Sequence, residues 1–439
     1  MPTKKSNKMR AKTFKNKKKS INKKAFIAIF VALVVIAGIF VVYRSFASNY
    51  KESSFNPIIP NRIIDSRLDI TKPFKPGEKR SIPSSKLIKA SLNTTRGGRP
   101  GLDEALANEE LTGATGLVFN VTISNPKSSQ NAKIPVTISL KGTDSKVTVF
   151  TESNKSVTKK VILPINKSFQ ESFPDITYEY SGNSTTSLDL IVDYIGIYST
   201  RSYSNPQKLK SFSTPILNYD TRANGSPILA NQTREISTDE ACRTNCSALP
   251  QFNTMVVNVT AVNPLSNGFF KIWSGNNEPN TVDLNFQAGS SATNQTLLII
   301  RRGENIKIKS SSNTDLILSV SGLYQSTNSL ARNTFIRTGN PNKAIYERVD
   351  ITKLITNPRT INVNSKYKAL ILNIESKKGA GFMKSSGNTV LNSSGGYSSS
   401  QFIAPVVNGR VQLEIYPTSK TNDNNEFINP DINIEGYIY

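Results

Sequence analysis

Apolar and polar residues alternate strictly along several short stretches of the chain. Leu117, Phe119, Val121 and Ile123 interleave with Val118, Asn120, Thr122 and Ser124. Met255, Val257, Val259 and Ala261 repeat that register, and Leu370, Leu372, Ile374 and Ser376 carry it a third time. A period of two with one apolar face predicts a half-buried strand. Similar alternation runs through 134–140, 147–150, 188–198, 269–273 and 297–300. Short strands separated by turns at a spacing of about 8 to 12 residues predict an antiparallel sandwich or barrel.

The strands recur within longer phrases. PNRIIDSR (60–67) returns as PILNYDTR (215–222), and GLVFNVTISNP (116–126) as TMVVNVTAVNP (254–264) and, more weakly, KALILNIES (368–376). NGFFKIWSG (267–275) is echoed by GAGFMKSSG (379–387). The closing phrases LDLIVDYIGIY, TDLILSVSGLY and DINIEGYI agree as well. Self-similarity of this kind marks a repeated structural unit. The spacing between copies one and two shrinks from 155 residues at Asp65/Asp220 to 126 at Gly196/Gly322, so copy one carries insertions. Insertions belong in surface loops. One lies between Ile82 and Gly116, where 103–111 is expected to form a short acidic helix. The expected fold class is therefore all-β. Three antiparallel β-sandwiches lie in tandem at 55–200, 201–326 and, in degenerate form, 327–439.

A different pattern precedes them. Residues 25–43, AFIAIFVALVVIAGIFVVY, hold no charge and show no polar face. Nineteen residues at about 1.5 Å each span the hydrocarbon core of a bilayer. Residues 1–24 carry eleven Lys/Arg and no acid. The positive-inside rule then places this tail in the cytoplasm, 25–43 across the cell membrane as a single span, 44–54 as a stalk, and the remainder outside. Cleavage after Ala47 as a signal peptide is the competing reading.

Charge and residue types narrow the chemistry. The chain has a formal charge of +24, and beyond the tail 44 basic side chains still face 31 acidic ones. It contains no His, which removes imidazole bases, His-ligated metals and the common catalytic triads. No cofactor is expected. Cys242 and Cys246 are the two cysteines, and outside the membrane a disulfide between them is the favoured reading. Asp65/Arg67 and Asp220/Arg222 place both members of a D-x-R pair on one sheet face. Each pair either holds a ligand such as a carboxylate, phosphate or sugar, or fixes a strand end by pairing internally. Copy three has Glu347 near that place and no Arg two residues on. Ser319 replaces Asp193 in copy two, which argues against a metal there. GGRPG (97–101) lacks the Lys-Ser/Thr of a phosphate loop, and no base is in view to activate a Ser. An enzyme is not expected.

The phrases together resemble a repeat of exported bacterial proteins. Its pattern runs P-x-R-hydrophobic-Asp-Thr-Arg, hydrophobic-Asn-Val-Thr-x-x-x-Pro, Gly-Phe, Leu-Asn-Phe and a final Gly-Tyr. It occurs in actinobacterial secreted proteins and in surface proteins of Saccharibacteria-like bacteria. Copy one matches through Pro60, Arg62, Asp65, Arg67, Asn120 to Thr122, Pro126, Asp193, Gly196 and Tyr198. Copy two matches through Asp220 to Arg222, Asn258 to Thr260, Pro264, Gly268, Phe269, Leu284 to Phe286, Gly322 and Tyr324. Copy three keeps Asn373, Gly381, Phe382, Gly436 and Tyr437. The resemblance implies an accessory, non-catalytic surface module. The expected function is binding to an anionic cell-wall polymer or to another cell, such as a host-cell surface. A structural spacer or envelope-assembly subunit is the alternative. Nucleic acid is a disfavoured partner, because the strands show no aromatic-and-basic stacking stripe. The loops at 95–115 and 239–250 are the expected recognition elements, with Arg96, Arg99, Asp103, Glu104 and Arg243 as candidate contacts.

Overall fold

The computed structural model describes residues 53–68, 73–92, 103–124, 133–152, 154–165, 169–181, 187–201, 207–215, 217–238, 252–301, 303–326, 335–336, 347–348, 359–363, 365, 367–376, 379–395, 398–417 and 430–438. The expected span at 25–43 lies outside the described residues, as do Cys242, Cys246, Arg96, Arg99 and Arg243. Among the described residues, no helix is long and apolar enough to cross a membrane. Glu52–Tyr439 form one compact unit.

Eight strands make the first pair of sheets: β1 (Ser54–Asp65), β2 (Lys79–Ile82), β3 (Ala114–Ser124), β4 (Lys133–Leu140), β5 (Lys146–Glu152), β6 (Val157–Pro164), β7 (Ile176–Tyr180) and β8 (Asp189–Ser199). Their orders are β1-β8-β3-β6 and β2-β7-β4-β5. The second pair uses β9 (Gln207–Ser211), β10 (Leu217–Asp220), β11 (Thr233–Ile236), β12 (Phe252–Val262), β13 (Gly268–Trp273), β14 (Leu284–Phe286), β15 (Ala292–Ile299), β16 (Ile306–Ser310) and β17 (Asp315–Ser326). Here β9 and β10 both pair with β17, beyond which lie β12 and β15; the facing sheet is β11-β16-β13-β14. The third pair uses β18 (Phe335–Ile336), β19 (Glu347–Arg348), β20 (Arg359–Asn362), β21 (Ala369–Ser376), β22 (Gly379–Ser385), β23 (Asn388–Gly395), β24 (Ser398–Pro405), β25 (Arg410–Pro417) and β26 (Pro430–Ile438). It repeats the pattern, with β18 and β19 on β26, then β21 and β24, over β20-β25-β22-β23. Counted within each pair, strands run 1-8-3-6 over 2-7-4-5, the order of a jelly roll.

Alternation explains the inside of each pair. Leu117, Phe119 and Val121 share a buried cluster with Val136 and Ile138 of the facing sheet. Val257 and Val259 do so with Phe270 and Ile308, and Leu370 and Leu372 with Met383 and Val411. The acidic helix forms at Glu104–Thr112 (α2), preceded by an unforeseen α1 at Ser84–Leu92. Asp103 caps α2 by accepting the Leu106 N–H at 2.8 Å. Leu87, Ala107 and Leu111 are fully buried in the first cluster, so this insertion closes a core and is not a free loop.

The other face of the alternation departs from expectation. A half-buried strand leaves Val118, Asn120 and Thr122 facing water, yet they are only 0, 1 and 4% exposed. The 1-8-3-6 sheets of all three pairs turn their second faces toward a common axis. Val118, Val256 and Ile371 occupy one equivalent position, and their cross-strand partners Ile162, Leu297 and Ile403 a second. Tyr198, Tyr324 and Ile438 occupy a third. All nine belong to one buried cluster. The repeats are therefore not beads along a string; they close around their own outer faces. Strand pairing gives this arrangement two poles. One, the apolar pole, holds the Ser54, Ala114, Pro164 and Ser199 ends of the first sheet; the other, the polar pole, holds its Asp65, Ser124, Val157 and Asp189 ends.

Candidate functional site

Beyond the apolar layer, toward the polar pole, the axis becomes hydrophilic. Asn120, Asn258 and Asn373 lie opposite Lys160, Gln295 and Gln401 in the three sheets. Gln295 accepts the Ile403 backbone N–H at 2.8 Å and donates to the Ile403 carbonyl at 3.4 Å. Gln401 holds the backbone N–H and C=O of Ile162 in the same way. Lys160 is the exception: its Nζ donates to Gln295 Oε1 at 2.7 Å. Burial pushes this ammonium down to about 7, and burial alone pushes that of Lys159 down to about 8.

The seams between pairs repeat too. Asn285 of β14 donates to Thr158 of β6 at 2.6 Å, and Asn392 of β23 donates to Thr293 of β15. Asn120 donates to Asp283 at 3.4 Å, as Asn258 donates to Asn388 at 3.2 Å. Each pair thus lends its fifth strand to the sixth strand of the pair before it. Lys133 of β4 and Glu375 of β21, 3.4 Å apart, bridge the third pair to the first. A head-to-tail contact that closes after three turns makes a ring rather than a filament. Asp283 is buried, which pushes its carboxyl up to about 6 despite bonds from the Ile272 N–H and Thr296 hydroxyl.

A cavity of about 90 Å³ lies where the three pairs meet, toward the polar pole. All three pairs line it, through Ser156 and Lys159, Asn285 and Thr293, and Asn392 and Ser399. The ion-paired Glu152 and Lys155 also border it.

The D-x-R residues lie at the same pole, and each pair closes on itself. Arg67 donates to Asp65 through Nε at 2.8 Å, Nη2 at 2.7 Å and its backbone N–H at 3.2 Å. Arg222 copies this on Asp220 at 2.9, 2.6 and 3.0 Å. The arginine hydrogen bonds hold both carboxyls below the usual carboxylate range. Arg62 extends the first corner: it donates to Asp65 at 3.1 Å, Asp193 at 3.0 Å and the Asn280 carbonyl at 2.7 Å. Its arms join the first and second sheet pairs. The sequence signal for it, P-x-R, lies in plain view in copy one but has no counterpart in PILNYDTR. In the third pair Arg348, opposite Asp431, stands at the place of Asp65 and Asp220, with Glu347 beside it.

The candidate loop residues go elsewhere. Asp103 caps α2 and Glu104 is exposed in its first turn, next to the apolar pole. The structure therefore separates them from Asp65, Arg67, Asp220 and Arg222. An open groove of about 660 Å³ also lies at the apolar pole of the second pair, between 274–277 and 301–305. Glu235 and Lys307 form an ion pair at 3.0 Å on its wall.

No family model matches the chain, and no curated protein does. Among solved structures, a crystal structure of the STIV MCP is 9% identical over 62% of this chain and 96% of that chain, with a TM-score of 0.16. A likeness at that level carries no argument about fold or function.

Proposed function

We propose that this chain is a membrane-anchored bacterial surface protein whose β-rich head binds an anionic cell-wall polymer or another cell without catalysis. Each sheet pair is read as one copy of the repeated module. One observation carries the reading: strands 1, 3, 5 and 7 of the pairs run toward the polar pole, while Ser54, where the first strand begins, lies at the other. Threefold presentation of equivalent loops raises avidity for a repetitive polymer without new contacts. The basic excess favours an anionic partner, with salt weakening the attraction. The carboxylates brought together, Asp65, Asp193 and Asp283, are held by arginine or by amide and hydroxyl donors. That arrangement supports scaffolding over acid–base work.

The test is a pull-down of Glu52–Tyr439, which contains every hydrophobic cluster among the described residues, against purified wall fractions at low and high salt. Salt-sensitive retention is expected, and no retention at low salt refutes the reading. The self-closing Asp–Arg pairs favour one alternative, a structural spacer with no ligand of its own. Cross-linking to a neighbouring membrane complex, with no polymer retention, is the result that reading requires.

A further inference from the structure

Lys159 and Lys160 are consecutive, buried and without a carboxylate partner: among the described residues, no ion pair includes either. Consecutive strand residues point to opposite faces, so the two lysines have different fates. Lys160 turns to the axis and is taken up by Gln295. Lys159 turns the other way and lines the cavity where the three pairs meet, with Nζ donating to the Thr293 carbonyl at 3.1 Å. A lysine ammonium has three donors and this bond uses one. Burying an unpaired cation is costly, and a buried charge in a protein normally has a counter-charge.

The space beside Lys159 suits such a counter-charge. About 90 Å³ holds roughly three waters or one small oxyanion. Ser156, Asn285, Thr293, Asn392 and Ser399 are among its lining residues, so all three sheet pairs contribute hydroxyl- or amide-bearing side chains. We infer that this cavity is an anion site that takes a tetrahedral oxyanion of the phosphate or sulfate type, with Lys159 as its counter-ion. The inference goes beyond the polymer reading and does not require it. The ion is either free or the phosphate end of a polymer chain. Its occupation ties three sheet pairs together through one bound group.

Sulfate is the probe, because its charge is constant across the pH range used. Thermal unfolding of Glu52–Tyr439 is followed as sulfate replaces chloride at constant ionic strength. A site shows as a saturating rise in Tm, since a ligand that binds only the folded state stabilises it by mass action. Sulfate also stabilises proteins by exclusion from their surface, so the K159M variant serves as the control for that unsaturable part. The saturating part is expected in the native sequence and absent in K159M. A second arm needs no variant. The charged groups near Lys159 are Lys160, Asp283 and the paired Glu152 and Lys155. Of these Lys160 and Asp283 titrate below Lys159, at about 7 and about 6. With Lys159 near 8, affinity should fall about tenfold between about pH 7 and pH 9. Equal saturating shifts in K159M, or affinity that ignores pH, overturn the assignment and leave a water-filled cavity. Displacement by a short glycerol phosphate chain assigns the site to a polymer end; displacement by inorganic phosphate alone assigns it to the free ion. A failed pull-down beside intact sulfate binding would remove the polymer reading and leave this site standing.

Discussion

Replacing Lys160 by glutamine should stabilise the protein, although it deletes a hydrogen bond present in the structure. Lys160, Gln295 and Gln401 share one position in three equivalent sheets. Each glutamine holds the peptide group of the neighbouring sheet at Ile403 or Ile162, and glutamine at 160 is placed to hold Leu297 likewise. The lysine is fully buried and its ammonium falls from 10.5 to about 7. At about 1.36 kcal/mol per unit, that fall represents about 5 kcal/mol of lost stability once pH is below both values. The unfolded chain keeps the proton up to about 10.5 and the folded one only to about 7. The unfolded state therefore binds more protons within that window, and native stability rises with pH across it. Glutamine has no such proton. Guanidinium denaturation of both proteins at about pH 6 and about pH 10 yields a double difference that isolates this group. We expect K160Q to gain roughly 2 to 5 kcal/mol at the lower pH and little at the higher. Equal pH slopes, or a variant weaker than the native chain at about pH 6, would refute the reasoning.

Other perturbations probe the remaining parts of the ring. Tyr198 and Tyr324 bond through their hydroxyls within the apolar layer. Y198F should cost about 1 to 3 kcal/mol by stranding the Tyr324 hydroxyl, and the double variant Y198F/Y324F should cost less than the two singles summed, as read by denaturant titration. A Cβ on Gly196 would lie 2.5 Å from the Phe55 ring, whereas one on Gly322 would find nothing nearer than the flexible end of Leu209 at 3.0 Å, with the Lys210 carbonyl at 3.3 Å. G196A should therefore lower stability by about 1 to 3 kcal/mol and G322A by well under that; equal melting temperatures would contradict the packing. The Asp65 side chain is 4% exposed and binds two arginines, while Asp220 is 27% exposed and binds one. D65N should cost about 2 kcal/mol and D220N below about 1 kcal/mol. The Asp65 contribution is present above the ordinary carboxylate range and is lost as pH falls through its lowered folded value, so acid titration of D65N should lack that component.

Much of this fold was legible because its cores are local alternations. Leu117 to Ile123, Met255 to Ala261 and Leu370 to Ile374 each announced a strand and its inward face. The acidic stretch at 103–111 announced α2. The strand order was not legible, since β1 meets β8 across some 130 residues and no local signal records such a partner. The outward face was misread for a related reason. Asn120, Thr122 and Lys160 carry the composition of a wet surface, and only the neighbouring sheets bury them. The D-x-R pairs were visible in sequence, but their meaning depended on whether Arg67 and Arg222 reached outward or closed on their own aspartates. The repeated Asn-Val-Thr phrase turns out to carry axis contacts: Asn120 and Asn258 meet the following pair, and Thr122 and Thr260 bond Thr158 and Thr293 at 2.7 Å.

Fusing three modules into one chain changes what the axis can contain. Three identical subunits would triple every side chain there. A lysine at position 160 would bring three ammonium groups to one buried point, and like charges that close cannot all remain ionised in a low-dielectric site. The fused chain needs only one. Gln295 and Gln401 fill the other two places, and Asn294 and Ser400 stand where Lys159 would otherwise recur. A buried lysine without an ion pair beside the cavity, once and not three times, is thus available only to a chain whose copies have diverged. The apolar layer shows the same licence, with Ile438 in place of a third tyrosine. The ring supplies symmetric closure, and the departures from symmetry are where a ligand-specific feature can be written without threefold cost. That places the chemical interest of this molecule at Lys159 and Lys160, and not at the repeated Asp–Arg phrase that first draws the eye.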